Sequence, residues 1–406
     1  MANNPECAQK HSDIGHEDDA ALRTADVTRR LAIKKLEKLY ENVGQKNSFK
    51  IEFGADRELL KEQLKEQRRL KKKEQRQKQR QEHIVRIING AQKHFGRPVV
   101  GYDAPGGEDR GSFRLYFDDT SIIATTRKDR WKIELESQVL SRMSLFSTDC
   151  PEFLGVCDSI LFQSDLGDRR LSQEILKVEG DQRSHLAQEA VSSIFRLQSA
   201  ARKASLQDAI PQGMLGPAWI KKHVDSLDVF RHLDNWNSRL LERNRLCEML
   251  THSNPQFVRG DCRSGNAIIR PQDTVAWFDF EDAHTGHGAE DIAYLIGDEV
   301  WPLPPEEMEE IVKDGVALES AQALDSYLNY LAIFLTFRCI QRLQLILRVV
   351  GKAGWQPLSG IYQRDRLGVN PECVKHICEV GAYYAARHSE TVPIGRDFEE
   401  VVKRFL

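Results

Sequence analysis

The chain is poor in the features that would send it to a membrane or a disulfide scaffold. Its eight cysteines contain no C-x-x-C pair, and Cys373 and Cys378 stand five apart. That spacing offers neither a zinc ribbon nor a thioredoxin-type motif, and it leaves free thiols in a reducing compartment as the expectation. The N-terminus, MANNPECAQKHSD, lacks an apolar signal core. The longest apolar run, around Tyr330 to Phe337, has half the length of a span and ends at Arg338. A cytoplasmic protein is therefore expected. Net charge is only -3, which sets no global preference for a partner, and no internal repeat is visible.

Charge is absent in sum yet concentrated in place. Residues 1–22 are polar and read as a disordered tail. Residues 23–95 read as a helical, basic extension. Within it Leu31, Ile33, Leu36, Leu39 and Tyr40 fall on one helical stripe, and Asp56 is placed to cap a long helix to about Gly90. Between Lys61 and Arg80 stand ten Lys or Arg and three Glu, and no aliphatic residue occurs between Leu70 and Ile84. Such a stretch cannot enter a core. It is a solvated connector, an arm that contacts an anionic surface or membrane through residues 56–94, or a self-association helix. Nucleic acid is a poor partner, since residues 61–80 hold no aromatic on which a base could stack.

With 406 residues and 40% hydrophobic content the chain can bury a large core, and its densest signal lies at residues 258–283. Asp261 is followed five places later by Asn266, and Asp279 ends an apolar strand as Asp-Phe-Glu. This is the order of a kinase C-lobe: a catalytic Asp, a metal-binding Asn in D-x-x-x-x-N, and a second metal-binding Asp at the D-F-G position. Phosphoryl transfer needs positioning and charge neutralisation. A carboxylate such as Asp261 orients a hydroxyl and accepts its proton. Asn266 and Asp279 supply the hard oxygens that Mg²⁺ prefers, with ATP phosphates completing its shell. Taken singly, the same residues would pass for turn and strand-end residues.

The preceding residues fit an N-lobe and hinge at 96–170, leaving 171–406 as a helical C-lobe. Pro98–Tyr102, Phe113–Phe117 and Ser121–Thr126 read as strands, with Asp118-Asp119 as a hairpin turn. The loop from Ala104 to Ser112 brings Gly106, Gly107 and Ser112 to where backbone N–H groups could cover phosphates. A cation on the third strand should pair with a helix Glu. Arg127 is the first choice for the cation and Lys128 the second, with Lys132 beginning the helix; Glu136 leads Glu134 as the partner. Phe153–Val156 and Ser159–Asp168 read as strand, turn and strand. Phe162 would wall the adenine pocket, and backbone groups at Gln163, Ser164 and Asp165 would bond the base. Further on, residues 187–197, 236–250, 305–316, 319–351, 371–389 and 396–405 read as helices, broken by Pro302, Pro304 and Pro305. Asp291, near the start of a helix opening at Ala289, suits the helix dipole and would brace the catalytic loop.

These segments resemble the aminoglycoside phosphotransferase and choline kinase superfamily. Val258–Asn266 resembles its H-x-D-x-x-x-x-N loop. Phe278–Ala283, Ser164–Asp168 and the helix around Gln341-Arg342 are similar to bacterial anomeric kinases of amino sugars. The resemblance runs from about residue 98 to about residue 390. It implies an α+β, two-lobed protein-kinase-like fold, ATP and Mg²⁺, and a hydroxyl acceptor of the sugar or amino-sugar type. An aminoglycoside, a choline-like amine or a lipid-linked acceptor is the alternative, as is a pseudokinase scaffold using the basic arm. Position alone puts Arg263, Glu281, Asp282 and His284 on the acceptor side. Two departures stand out: Arg259 occupies the place of the usual His, where pairing with a carboxylate could hold the loop, and the third strand has no clear Lys.

Overall fold

The computed structural model describes residues 48–107, 111–210, 216–251, 255–319, 324–364 and 366–405. The expected tail of residues 1–22 and the stripe from Leu31 to Tyr40 lie outside them. Helix α1 (Ser48–Phe95) covers the basic stretch. The chain divides into two compact units between Glu82 and His83. In the first, every residue from Glu62 to Glu82 is exposed, Leu64 and Leu70 included, as expected of a segment dominated by Lys, Arg, Glu and Gln.

The second unit holds all the remaining elements. Its sheet has five antiparallel strands in the order β1-β2-β3-β5-β4: β1 (Gly101–Asp103), β2 (Ser112–Tyr116), β3 (Ser121–Thr125), β4 (Phe153–Cys157) and β5 (Ile160–Ser164). Between β3 and β4 runs helix α2 (Arg130–Met143). The strands alternate, as in Ser112–Tyr116, where Phe113 and Leu115 point inward and their neighbours are half-buried. Those inward residues pack with Ile84, Ile87 and Ala91 at the end of α1. The second unit thus begins at His83, thirteen residues before the boundary of 95/96 that composition suggests, and its small core at Ile84. The Ile and Ala residues behind the charge run carry the lobe's closing helix.

The larger core is helical and surrounds two small hairpins. The connection from the sheet passes through α3 (Leu171–Glu174) into α4 (Gly180–Lys203). Next come α5 (Pro217–Asp225) and α6 (Arg243–Met249). The continuous helix expected over 236–250 does not form. A 3-10 turn at Asn237–Leu240 precedes α6, with the backbone N–H groups of Asn237 and Ser238 donating to the Asp397 carboxylate. β6 (Gln256–Val258) pairs with β9 (His284–Gly286), and β7 (Ala267–Ile269) with β8 (Val275–Trp277). Then follow α7 (Ala289–Ile296), α8 (Pro305–Glu319), α9 (Leu324–Ala353), α10 (Leu358–Arg364), α11 (Pro371–Ala385) and α12 (Val392–Phe405). By length and composition α9 could cross a bilayer, contrary to the short run measured from Tyr330 to Phe337, but 78% of its apolar window is buried inside the fold. It is the central helix of the C-lobe. The architecture of the second unit is the expected α+β one, a five-stranded sheet followed by a large helical part.

Candidate active site

Three backbone features place the catalytic loop between β6 and β7. Gly260 has φ +71°, and a Cβ there would come within 2.7 Å of the Asp282 carbonyl oxygen. Asp261 follows with φ 38°, and Asp279 after β8 has φ 70°. Among other non-glycine residues with positive φ, Asp158, Ser159, Gln272 and Asp273 make hairpin turns. Asp261 and Asp279 do not, and left-handed residues held outside turns gather at functional sites. Asp291, at the start of α7, holds this geometry. Its Oδ2 accepts the N–H of Arg259 and its Oδ1 that of Gly260, each at 3.0 Å. It braces the loop as the sequence suggested. A second brace was not anticipated: Asp298 Oδ2 accepts from the N–H and hydroxyl of Ser264 at 3.1 and 2.8 Å. Only its place seven residues after Asp291 could have flagged it.

Arg259 does not pair with a carboxylate through its side chain. The guanidinium is fully buried and donates to backbone carbonyls: Gly260 at 2.8 Å, Asp279 at 3.1 Å, and Phe278. It also lies over the rings of Trp277 and Phe280, 5.5 and 5.3 Å from their centroids. It therefore joins the catalytic loop directly to the strand end that presents Asp279, which an imidazole with two nitrogens could do at fewer points.

Asp261 is held on three sides. Arg263 donates from Nε to Oδ1 at 2.9 Å and from its terminal nitrogen to Oδ2 at 3.2 Å. Asn266 Nδ2 reaches Oδ2 and the Asp261 carbonyl, both at 3.0 Å. Burial pushes the Asp261 carboxyl up, but Arg263, with Arg338 and Arg259, more than offsets it and holds the group below the usual carboxylate range. A carboxylate offers about four acceptor sites, and the three N–H groups leave one on Oδ1 for a hydroxyl.

On the other side of the loop lies a cleft of about 530 Å³. Arg127 at the end of β3 contacts three carboxylates there: Glu136 of α2 at 2.8 Å, Asp279 at 2.5 Å and Glu281 at 3.2 Å. Burial alone would lower the guanidinium's pKa, but these carboxylates raise it, so it stays a cation. Glu136 is fully buried and also accepts the N–H of Phe280 at 3.1 Å. Arg127 is the third-strand cation and Glu136 its helix partner. Lys128 is exposed, outside the cleft lining, and Glu134 instead pairs with Arg130 at the surface.

Gly106, Ser112, Gln163, Ser164, Asp165, Asn266, Asp279 and Glu281 line the cleft as well. Gly107 does not; its N–H closes the turn on the Ala104 carbonyl. Gly111 does, and a Cβ there would stand 2.3 Å from the Thr126 carbonyl oxygen. The Asp165 carboxylate is bound by Arg114 at 2.6 and 3.0 Å and by Ser121 at 2.7 Å. It ties the end of β5 to β2 and β3. Phe162 was misplaced by the sequence reading. Its ring is fully buried on the opposite face of β5, 5.2 Å from the rings of His94 and Phe95. On β5 the neighbouring Gln163 faces the cleft instead, because a strand's faces alternate, and Ile123, Ile268 and Phe278 are among the apolar residues of its wall.

The residues suit Mg²⁺. Asn266 spends Nδ2 on Asp261, so its oxygen is free for a cation, and Asp279 has a second oxygen, Oδ2, beyond the one that Arg127 holds. Two hard oxygen ligands with phosphate and water are the usual protein share for this ion.

The four acceptor-side candidates separate. Arg263 and Asp282 line a second cavity of about 650 Å³ that opens onto Asp261. Glu281 lines the first cleft beside Arg127 and not the second cavity. His284 is buried in β9 between Glu290 at 3.3 Å and the Asp282 carbonyl at 2.8 Å. It supports the hairpin and lines neither cavity. In its place the second cavity uses Arg342, Leu345 and Val349 of α9, and Gln356, Arg366, Leu367 and Val369.

Residues 147–324 match the phosphotransferase enzyme family (APH). Among solved structures, the GDP complex of aminoglycoside 2'-phosphotransferase-IIIa is 14% identical, with 74% of this chain and 98% of that chain covered and a TM-score of 0.49. A macrolide 2'-phosphotransferase type I is 16% identical over 69% and 96%, with a TM-score of 0.46. A choline kinase from Streptococcus pneumoniae is 11% identical over 73% and 99%, with a TM-score of 0.41. No curated protein matches the sequence.

Proposed function

We propose that this chain, a phosphotransferase of the aminoglycoside phosphotransferase and choline kinase superfamily through its catalytic segment, transfers the γ-phosphoryl group of ATP to a hydroxyl of a sugar or amino sugar. One observation carries the reading. Asp261, Asn266 and Asp279, distant or unremarkable alone, are tied through Arg259, and Arg127 joins Asp279 to Glu136 across the cleft. Mg²⁺, when bound at Asn266 and Asp279, would neutralise phosphate charge. Arg127 adds a fixed positive charge on the same side, and Gly106, Gly111 and Ser112, which line the cleft, would offer backbone to the phosphates. Backbone at Gln163–Asp165 would hold adenine. Asp261 Oδ1 orients the acceptor hydroxyl and takes its proton. The new bond joins the acceptor oxygen to γ-phosphorus as the bond to the β-phosphate's oxygen breaks, and ADP leaves.

The test is ADP release with Mg²⁺ against neutral sugars, amino sugars, aminoglycosides and choline. Asp261→Ala should lower turnover by about 10²–10⁴-fold, the usual share of a positioned general base, with an unchanged melting profile. Full turnover in the variant would sink the assignment.

A second reading concerns the arm. With every side chain from Glu62 to Glu82 exposed and ten cations between Lys61 and Arg80, we place the protein in the cytoplasm, its arm against an anionic membrane face. Flotation with vesicles containing anionic lipid, compared with neutral ones, decides this reading. Equal recovery with both would overturn it.

A further inference from the structure

The cavity on the acceptor side of Asp261 is cationic. Asp261 and Arg263 neutralise each other there at 2.9 Å, and Asp282 is held by Lys132 at 2.9 Å. Arg342 is spent on the buried Glu299 at 2.5 Å. Two guanidinium groups have no such match among the described residues. Arg366 lines the cavity, is exposed, and makes no ion pair there. Arg338 stands one turn before Arg342 on α9 and is nine-tenths buried. Its guanidinium lies 4.1 Å from the Tyr294 ring centroid, its Nε lacks a hydrogen-bond partner, and no carboxylate pairs with it. Its charge acts on Asp261, Arg263 and Arg342. The lining itself thus carries three guanidinium groups (Arg263, Arg342, Arg366) and two carboxylates (Asp261, Asp282); Arg338 and the Arg342-paired Glu299 stand outside it, and Lys132 divides between Asp282 and Glu281. A buried, unmatched charge costs several kcal/mol, and it is sustained most simply where a ligand of opposite sign completes it.

Resting on the kinase reading above, we propose that the acceptor carries an oxyanion, a carboxylate or a phosphate, besides the hydroxyl that is phosphorylated. Arg366 makes the contact with this group, and Arg338 supplies buried positive potential behind it. A guanidinium matches both anions in a bidentate manner. Leu345, Val349 and Val369 give the cavity an apolar wall for the acceptor's carbon frame. A cationic acceptor would meet like charge at the same place, and like charges across an interface cost several kcal/mol.

The test measures calorimetric binding to the full chain, with Mg²⁺ and a non-hydrolysable ATP analogue, of matched sugars that differ in the anion alone. Glucose is compared with glucuronate and with glucose 6-phosphate; glucosamine and N-acetylglucosamine are compared with their 6-phosphates. We expect at least one anionic member to bind 10-fold or more tightly than its neutral partner. Arg366→Gln should erase that difference and leave the affinity for the ATP analogue unchanged. The carboxylate and phosphate arms distinguish the two oxyanions. If no anionic member binds more tightly, or if kanamycin or choline binds in preference, the proposal is wrong. Arg366→Gln without effect on the anionic preference also overturns the assignment of the contact. ADP release from the same mixtures separates this result from the parent reading. Asp261-dependent turnover on a neutral sugar keeps the kinase and discards the oxyanion. Anion-selective binding with no turnover on any acceptor keeps the oxyanion and discards the kinase.

Discussion

The two sides of Asp261 are built differently. On the side of the cleft proposed for the nucleotide, charges are matched: Arg127 meets Glu136, Asp279 and Glu281 within 3.2 Å. On the acceptor side, Arg366 and Arg338 lack carboxylates among the described residues. A ligand shared by a whole superfamily can be met by residues that recur at fixed spacing. An acceptor particular to one protein is met by residues from several elements, here the catalytic loop, α9 and the segment before α11. The difference teaches where to seek specificity: in the half whose charges do not close.

The largest effect that would sharpen this contrast comes from Arg127→Ala. Glu136 is fully buried and would keep the Phe280 N–H but lose its counter-ion. Breaking one partner of a buried pair costs about 3–5 kcal/mol. The variant should melt lower, and its KM for ATP should rise more than 10-fold while binding of the acceptor is unchanged. Loss of acceptor binding alone would show that the two sides are not separate in the way their charges suggest. Arg127→Lys keeps one charge without the fork that reaches three carboxylates and should fall between.

A smaller effect is expected from Arg259→Ala, which frees the Phe278, Asp279 and Gly260 carbonyls. The strand end that carries Asp279 would no longer be fixed to the loop that carries Asp261. A displacement of about 1 Å at reacting groups can cost roughly 10²-fold in rate. Turnover should drop by about that factor with both KM values preserved, since neither cavity loses a lining side chain. His at this position should restore part of the rate, because an imidazole can still reach one carbonyl. A change confined to one KM would instead make Arg259 a binding residue for that side.

The same division governs what the sequence disclosed. Asp261, Asn266 and Asp279 are close in the chain and fixed in spacing by one hairpin, so the pattern alone located them. Glu136 and Arg127 were harder, because nine residues and a turn separate them, and Lys128 and Glu134 satisfy the same pattern one or two places away. Burial decides between them, and burial depends on packing. Phe162 shows the limit sharply: strand and end were legible, but the face was not, and a single-residue phase error sends a side chain to the other side of the sheet. His284 attracted a functional reading by its position beside Asp282. It is buried instead, hydrogen-bonded to Glu290 and the Asp282 carbonyl. The second cavity gave no signal at all, since Arg366 lies 105 residues from Asp261 in the chain and only the return of the chain after α9 brings it there. The charge run of α1 was plain, whereas its passage into the N-lobe core at Ile84, Ile87 and Ala91 was hidden by the helix continuing without a break.

The smallest expected effect tests the residue that the two sides share. Arg263 belongs to the acceptor cavity and also holds both oxygens of Asp261. A cation beside a carboxylate favours its charged form, so it lowers the pKa; removing the cation must raise it. Asp261 acts as a base only while ionised, so activity is lost as pH falls through its pKa in the folded enzyme. With Arg263 in place that loss lies below the ordinary carboxylate value. In Arg263→Gln, burial is opposed by the Asn266 hydrogen bond and the charges of Arg338 and Arg259 but no longer by the paired guanidinium, and the acid limb of the kcat profile should move to higher pH. Near neutral pH, where the base remains ionised in both proteins, the rate should change by less than about 10-fold. An acid limb that stays in place would mean that Arg263 does not set the basicity of Asp261, and that its ion pair serves only to shape the acceptor cavity.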